Sequence, residues 1–161
     1  MDLLGAALSR LPKDLQDEVI LLVMGKPDPS LATNIPVATT QLGFVSEPSN
    51  KARVYSAADL FVLPTRADNL PVVLQESMSC GTPMVSFRVG GVTDLVRQEI
   101  TGLTAEPEDS ADLAEKIKQL LMNPAMRFRC AENCRKIAVD EYSLGLQGSR
   151  YRALFESISA N

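Results

Sequence analysis

Short unbroken apolar runs alternate along this chain with stretches in which apolar residues recur at helical spacing, and that alternation restricts the fold more than any other feature. The runs lie near Val19 to Met24, Gln41 to Val45, Leu60 to Leu63, Met84 to Phe87 and, more weakly, Gly102 to Ala105. Runs that are apolar at every position suit strands buried on both faces of a parallel sheet. The expectation is therefore an α/β chain: a parallel sheet of about five strands flanked by helices.

Helical spacing is clearest at four places. A first helix is expected over about Asp2 to Leu11, with Leu4, Ala7, Leu8 and Leu11 on one face and Pro12 helping to end it. A later one starts at Asp109 or Ser110 as N-cap, carries Leu113, Ile117, Leu120 and Leu121 on one face, and stops at Asn123-Pro124. Two more follow, from about Ala125 to Glu141 and near Gly148 to Ile158, the last with Tyr151, Leu154, Phe155 and Ile158 at helical spacing. Arg127, Arg129, Arg135 and Lys136 read most simply as a solvated face, and alternatively as a contact for membrane lipid or an acidic partner. The segment Gly25 to Thr40, with Pro27, Pro29 and Pro36, is the longest irregular stretch and reads as a surface loop.

Composition narrows the class. The chain has 161 residues, 45% hydrophobic and 22% charged, which is enough for one domain, residues 1–161, with a substantial core. Sixteen basic residues against twenty acidic ones give a net charge of -4 with the basic residues scattered, so nucleic acid is not an expected partner. The longest apolar run, Val19 to Met24, is far shorter than the roughly 18 residues a membrane span requires, and Met1 opens on an amphipathic pattern without a signal-peptide profile. The expected location is cytoplasmic. Cys80, Cys130 and Cys134 are an odd set with no Cys-x-x-Cys pair, so plain thiols are expected, with metal ligation by the last two as the weaker alternative. Histidine is absent altogether, which removes the commonest general base and the histidine-dependent nucleophilic arrangements.

The chemistry concentrates in Ala58 to Gly91, which reads as strand, loop, helix, strand and Gly-Gly turn in succession. The loop Pro64 to Asn69 leads into a helix with Pro71 in its first turn, where a missing N–H costs nothing, and Gly81 at its end. Free amides at Leu70, Val72 and Val73, with the positive end of the helix dipole behind them, can seat a phosphate or diphosphate. Asp68 and Glu76 flank that seat with seven residues between them. A carboxylate at Glu76 suits a vicinal diol such as that of ribose, and one at Asp68 suits sugar hydroxyls. Two acids alone favour a plainer reading, with Asp68 as a capping acid and Glu76 as a solvated helix residue.

The surrounding pattern argues for more. Asp68-Asn69-Leu70-Pro71, Glu76, then Ser77-Met78-Ser79-Cys80-Gly81-Thr82-Pro83-Met84-Val85 and Val89-Gly90-Gly91 closely resemble the signature of group 1 retaining glycosyltransferases. Gly43-Phe44-Val45, Ala57-Ala58-Asp59-Leu60 and Thr101-Gly102-Leu103 extend the resemblance over most of Leu3 to Met122. The resemblance implies the nucleotide-binding half of a GT-B fold, a Rossmann-like domain that binds a UDP- or GDP-type sugar nucleotide and needs no cofactor and no metal. It assigns Glu76 to the ribose, Asp68 to the donor sugar in place of the usual glutamate, and Asn69, Leu70, Pro71 and Val72 to the sugar and diphosphate. Phe44 and Val45 fall where the family contacts the base.

Family members normally precede this region with an acceptor-binding domain, a linker, and a strand ending in Gly-Arg with Lys-Gly shortly after. Met1-Asp2-Leu3-Leu4 aligns with the helix beyond that point, so those cations have no counterpart here. The implied function is donor binding within a glycosyltransferase, truncated at its N-terminal side and inactive in isolation without a separate acceptor-binding domain. The alternative is a catalytically silent sugar-nucleotide-binding or protein-interaction module. Without the usual first strand, the strands Val19 to Met24 and Leu60 to Leu63 are expected to close together and pair directly, with recruitment of a strand in a homodimer as the other route.

Overall fold

A computed structural model describes residues 2–27, 29 and 35–159. The order is α1 (Asp2–Leu8), α2 (Lys13–Glu18), β1 (Ile20–Met24), β2 (Ala38–Gly43), α3 (Pro48–Ala57), β3 (Phe61–Leu63), α4 (Val72–Ser79), β4 (Met84–Phe87), α5 (Val92–Leu95), β5 (Gly102–Ala105), α6 (Ser110–Met122), α7 (Pro124–Tyr142) and α8 (Leu144–Ser159). Every strand pairing is parallel, and helices flank the strands, so the chain is α/β. Much of the expected loop Gly25 to Thr40 lies outside the described residues, and its last three residues are the start of β2.

Local chemistry explains the element ends. The Asp109 carboxylate accepts from the Ala111 and Asp112 amides at 2.8 and 3.0 Å, and so caps α6. Asn123 does the same for the Met126 amide at 3.0 Å, with Pro124 at the first position of α7. Helix α4 ends where Gly81 takes φ +73°, a conformation that costs a residue with a side chain. Strand β2 begins earlier than its apolar run suggests, because the β-branched Thr39 and Thr40 are extended too; Gly43, at φ +69°, then ends it.

The core lies around the second sheet, ordered β3-β4-β5. Alternation along β4 divides its side chains between two apolar clusters. Val85 and Phe87 join Leu4, Leu8, Leu103, Leu113, Ile117 and Leu120, packed among α1, β5 and α6. Met84 joins Leu74, Met78, Leu95, Cys134 and Ala138, packed among α4, α5 and α7. Ser86, fully buried, is satisfied by donating its hydroxyl to the Leu63 carbonyl at 2.7 Å. Gly102 makes the β4–β5 approach possible, since a Cβ there would stand 1.8 Å from the Met84 carbonyl oxygen.

Direct closure of the sheet does not occur. Strands β1 and β2 form a sheet of their own, and β1 and β3 belong to separate sheets. Leu21 from β1 and Leu60 and Val62 from the β3 segment nevertheless pack against the same apolar cluster. Their side chains are thus partly covered without pairing between β1 and β3, and the β1 and β3 residues are half-buried or exposed, so water reaches that part of the chain. Backbone groups that water reaches lose little by staying unpaired, since the net gain of an intramolecular hydrogen bond is only about 1 kcal/mol.

The two C-terminal helices carry the apolar spacing and the basic face named above. No residue of α8 is buried, and Tyr151, Leu154, Phe155 and Ile158 are all exposed, so its apolar spacing serves no core within the described residues. The basic face of α7 is only partly solvated. The Arg127 guanidinium donates to the Leu120 and Leu121 carbonyls at 3.1 and 2.9 Å, and Arg135 donates to the Ser79 carbonyl at 2.8 Å. These side chains cap the ends of α6 and α4.

The three cysteines are free. Burial pushes the Cys134 thiol up to about 12, and it donates to the Thr101 carbonyl at 3.2 Å. Among the described residues no group of three histidine, cysteine or acidic residues could hold a metal, and no helix is long and apolar enough to cross a membrane.

Candidate functional site

Parallel strands place the loops that follow them at one end of their sheet, which is where open α/β sheets take their ligands. Two such loops meet here. The segment after β3 holds Pro64 to Pro71, and the segment after β4 holds Arg88 to Gly91. The Gly91 amide donates to the Asp68 carbonyl at 3.3 Å. A Cβ at Gly90 would fall 2.0 Å from that carbonyl oxygen, and one at Gly91 would fall 1.7 Å from the Asn69 carbonyl oxygen. The Gly-Gly turn is therefore a backbone brace that fixes where Asp68 and Asn69 stand.

Beyond that brace α4 begins. Pro71 is its N-cap and no side chain caps it, so Asp68 is not the capping acid that the plainer reading made it. The Leu74 amide reaches the Pro71 carbonyl at 3.1 Å, whereas the Val72 and Val73 amides have no acceptor within the helix. Asp68, Asn69, Leu70 and Val72 are exposed and Pro71 is buried, so a polar loop runs into a rigid helix start. That arrangement presents amides and a helix dipole to an anion.

Glu76 is not a solvated helix residue either. Its side chain retains 28% exposure, and both carboxylate oxygens are engaged from α3: Lys51 Nζ donates to Oε1, and the Tyr55 hydroxyl donates to Oε2 at 3.0 Å. Tyr55 is buried with its ring edge-on to Phe61 at 5.4 Å, and its carbonyl accepts from the Thr82 hydroxyl at 2.7 Å. Burial, with Glu76 beside it, raises the Tyr55 phenol well above its ordinary range, so it remains a donor. Phe44 and Val45 follow β2 and lead into α3, with Phe44 84% exposed.

Sequence reading named Asp68, Asn69, Leu70, Pro71, Val72 and Glu76, and the structure gathers them at one helix start. It missed Lys51 and Tyr55. The signal available was their i, i+4 spacing, which places both on one face of α3.

Comparison with known proteins shows the family. The family model for glycosyl transferases group 1 matches residues 1–137. The chain belongs to that family. It is 31% identical over 119 residues to an alpha-D-kanosaminyltransferase of Streptomyces kanamyceticus, covering 74% of this chain and 31% of the relative. It is 35% identical over 142 residues to a D-inositol 3-phosphate glycosyltransferase of Mycobacterium sp. (strain KMS), covering 81% and 31%. Among solved structures, Anabaena Alr3699/HepE in complex with UDP and glucose superposes with a TM-score of 0.81 at 20% identity, over 96% of this chain and 44% of that one. Sucrose-phosphate synthase from Thermosynechococcus elongatus gives 0.79 at 28% identity, over 97% and 42%. This group 1 glycosyltransferase chain thus spans about a third of the curated relatives' length and under half of those solved chains. The neighbours share its α/β, GT-B-type architecture.

Proposed function

We propose that this chain supplies the donor wall of a glycosyltransferase that moves a sugar from a nucleoside-diphosphate sugar to an acceptor. The observation that carries the reading is the α4 helix: amides of Val72 and Val73 at its start with no acceptor among the described residues, beside the braced Asp68-Asn69 loop, and the held carboxylate of Glu76 one turn further on. In transfer, the bond from the anomeric carbon to the diphosphate oxygen breaks and negative charge collects on the diphosphate. Fixed amides and the helix dipole stabilise that charge without bound metal. Asp68 contacts the sugar hydroxyls, Glu76 the ribose, and Phe44 and Val45 the base. The solved neighbour with UDP and glucose supports a donor of this class.

Apolar surface stands open around this wall. Leu70 is 41% exposed, Val72 65% and Phe44 84%, which suits a surface that a facing acceptor-binding domain covers. Residues 1–161 by themselves provide neither acceptor positioning nor water exclusion, each worth several kcal/mol in transferases that have them. The expected behaviour is donor binding without turnover. Calorimetric titration with UDP and GDP should show binding of at least one, weakened by about 1.5–3 kcal/mol in Glu76→Ala through loss of charge-assisted hydrogen bonds. No binding of either nucleotide at millimolar concentration would sink the donor-wall reading. Glycosyl transfer by the isolated chain, with donor hydrolysis excluded, would show that it is more than one wall.

A further inference from the structure

We propose that Lys51 and Tyr55 are positioning residues that orient the Glu76 carboxylate toward a ribose diol. The inference rests on the donor-wall reading and gives it a mechanism. A carboxylate on a helix turns freely about its terminal bond unless something holds it, and a diol accepts only an orientation that offers one oxygen to each hydroxyl. Here Lys51 takes Oε1 and Tyr55 takes Oε2, so the plane of the group is set before a ligand arrives. Each oxygen keeps a second lone-pair site for a ribose hydroxyl. The two donors are themselves fixed to different degrees. Tyr55 is locked by burial, by the Phe61 ring and by Thr82, while Lys51 is held chiefly by the carboxylate and remains 32% exposed. Tyr55 therefore defines the direction and Lys51 the second point of attachment.

A merely structural ion pair between α3 and α4 predicts something different: loss of stability without loss of ribose selectivity. The test is calorimetric titration of the chain and of Lys51→Met, Lys51→Arg and Tyr55→Phe with UDP, GDP and their 2′,3′-dideoxy counterparts. The quantity read is the affinity ratio of ribose to dideoxy form, which cancels any general loss of folding or charge balance. Wild type should prefer the ribose form. Lys51→Met and Tyr55→Phe should each shrink that preference about tenfold, and Lys51→Arg should restore much of it. A wild-type preference retained in full by both variants overturns the positioning role while leaving donor binding intact. Absence of any preference in wild type removes the ribose role of Glu76, and this inference falls with it.

Discussion

The β1–β2 sheet and the β3-β4-β5 sheet are both parallel, yet they are buried very differently. Every residue of β4 is buried, and all of β5 but Thr104; in β1 and β2 no residue is, and Ile20, Leu22 and Leu42 are exposed. The second sheet has helices on both sides, with α1 and α6 against one face and α4 and α7 against the other. The first is tied to that core mainly through Val19, Leu21, Ile35 and Val37. The difference divides the candidate site. The loops expected to meet sugar and diphosphate stand on the well-packed sheet, whereas Phe44 and Val45 stand at the end of the lightly packed one. Segments with fewer buried contacts open at lower free energy, so the Phe44-Val45 segment is the more adaptable part of the candidate site.

The largest test of this contrast is truncation of matched side chains. Leu103→Ala, in a fully buried position, should cost about 4 kcal/mol in urea denaturation, and Leu22→Ala, at 38% exposure, about 1 kcal/mol or less. Equal costs would erase the distinction.

A smaller effect comes from paired glycines. Gly102→Ala drives a Cβ into the Met84 backbone and should cost about 3 kcal/mol as the strands part. Gly43→Ala has open space and only its φ of +69° to oppose it, so about 1 kcal/mol is expected. A Gly43→Ala cost that matched Gly102→Ala would mean that β2 is packed far more tightly than its exposure indicates.

Smallest is an ionic tie between α1 and the loop after β3. Arg66 donates to the Asp2 carboxylate at 2.5 Å and to Glu108 at 2.9 Å, all three exposed. Hydrogen bonding to Arg66 holds the Asp2 carboxyl at about 2, below its usual 3.8. A lowered carboxyl stabilises the fold above its unfolded value and ceases to do so as pH falls through its folded value. Arg66→Met should therefore be slightly less stable than wild type at neutral pH, with the gap closing from about pH 4 to pH 2 and shrinking in high salt. A gap unchanged at pH 2 would show that Arg66 acts through packing instead.

Much of the fold was legible in the residues. Met84 to Phe87 and the weaker run Gly102 to Ala105 were located to the residue, and Asp109 was one of two N-cap candidates with Ser110, because full burial and capping leave local marks. The loop Pro64 to Asn69 was legible from its flanks, an apolar strand before it and Pro71 at the helix start after it, while the brace from Gly90 and Gly91 comes from a separate loop. Strand β2 was displaced in the reading because a half-exposed strand uses threonine and glutamine where a buried one must be apolar.

What the amino-acid order determined by itself was most of the local inventory: which segments are buried strands, which are helices, and which acids flank a helix start; helix ends such as Leu8, expected at Leu11, were not among it. Only the tertiary structure decided that β1 and β3 stay in separate sheets, that the α8 side chains face solvent, and that Glu76 is held by Lys51 and Tyr55. Hydrogen bonds along a helix and caps at its ends join residues a few positions apart and are written in short stretches of sequence. The Glu76 contacts join residues 25 and 21 positions apart, and they arise only where α3 is laid against α4.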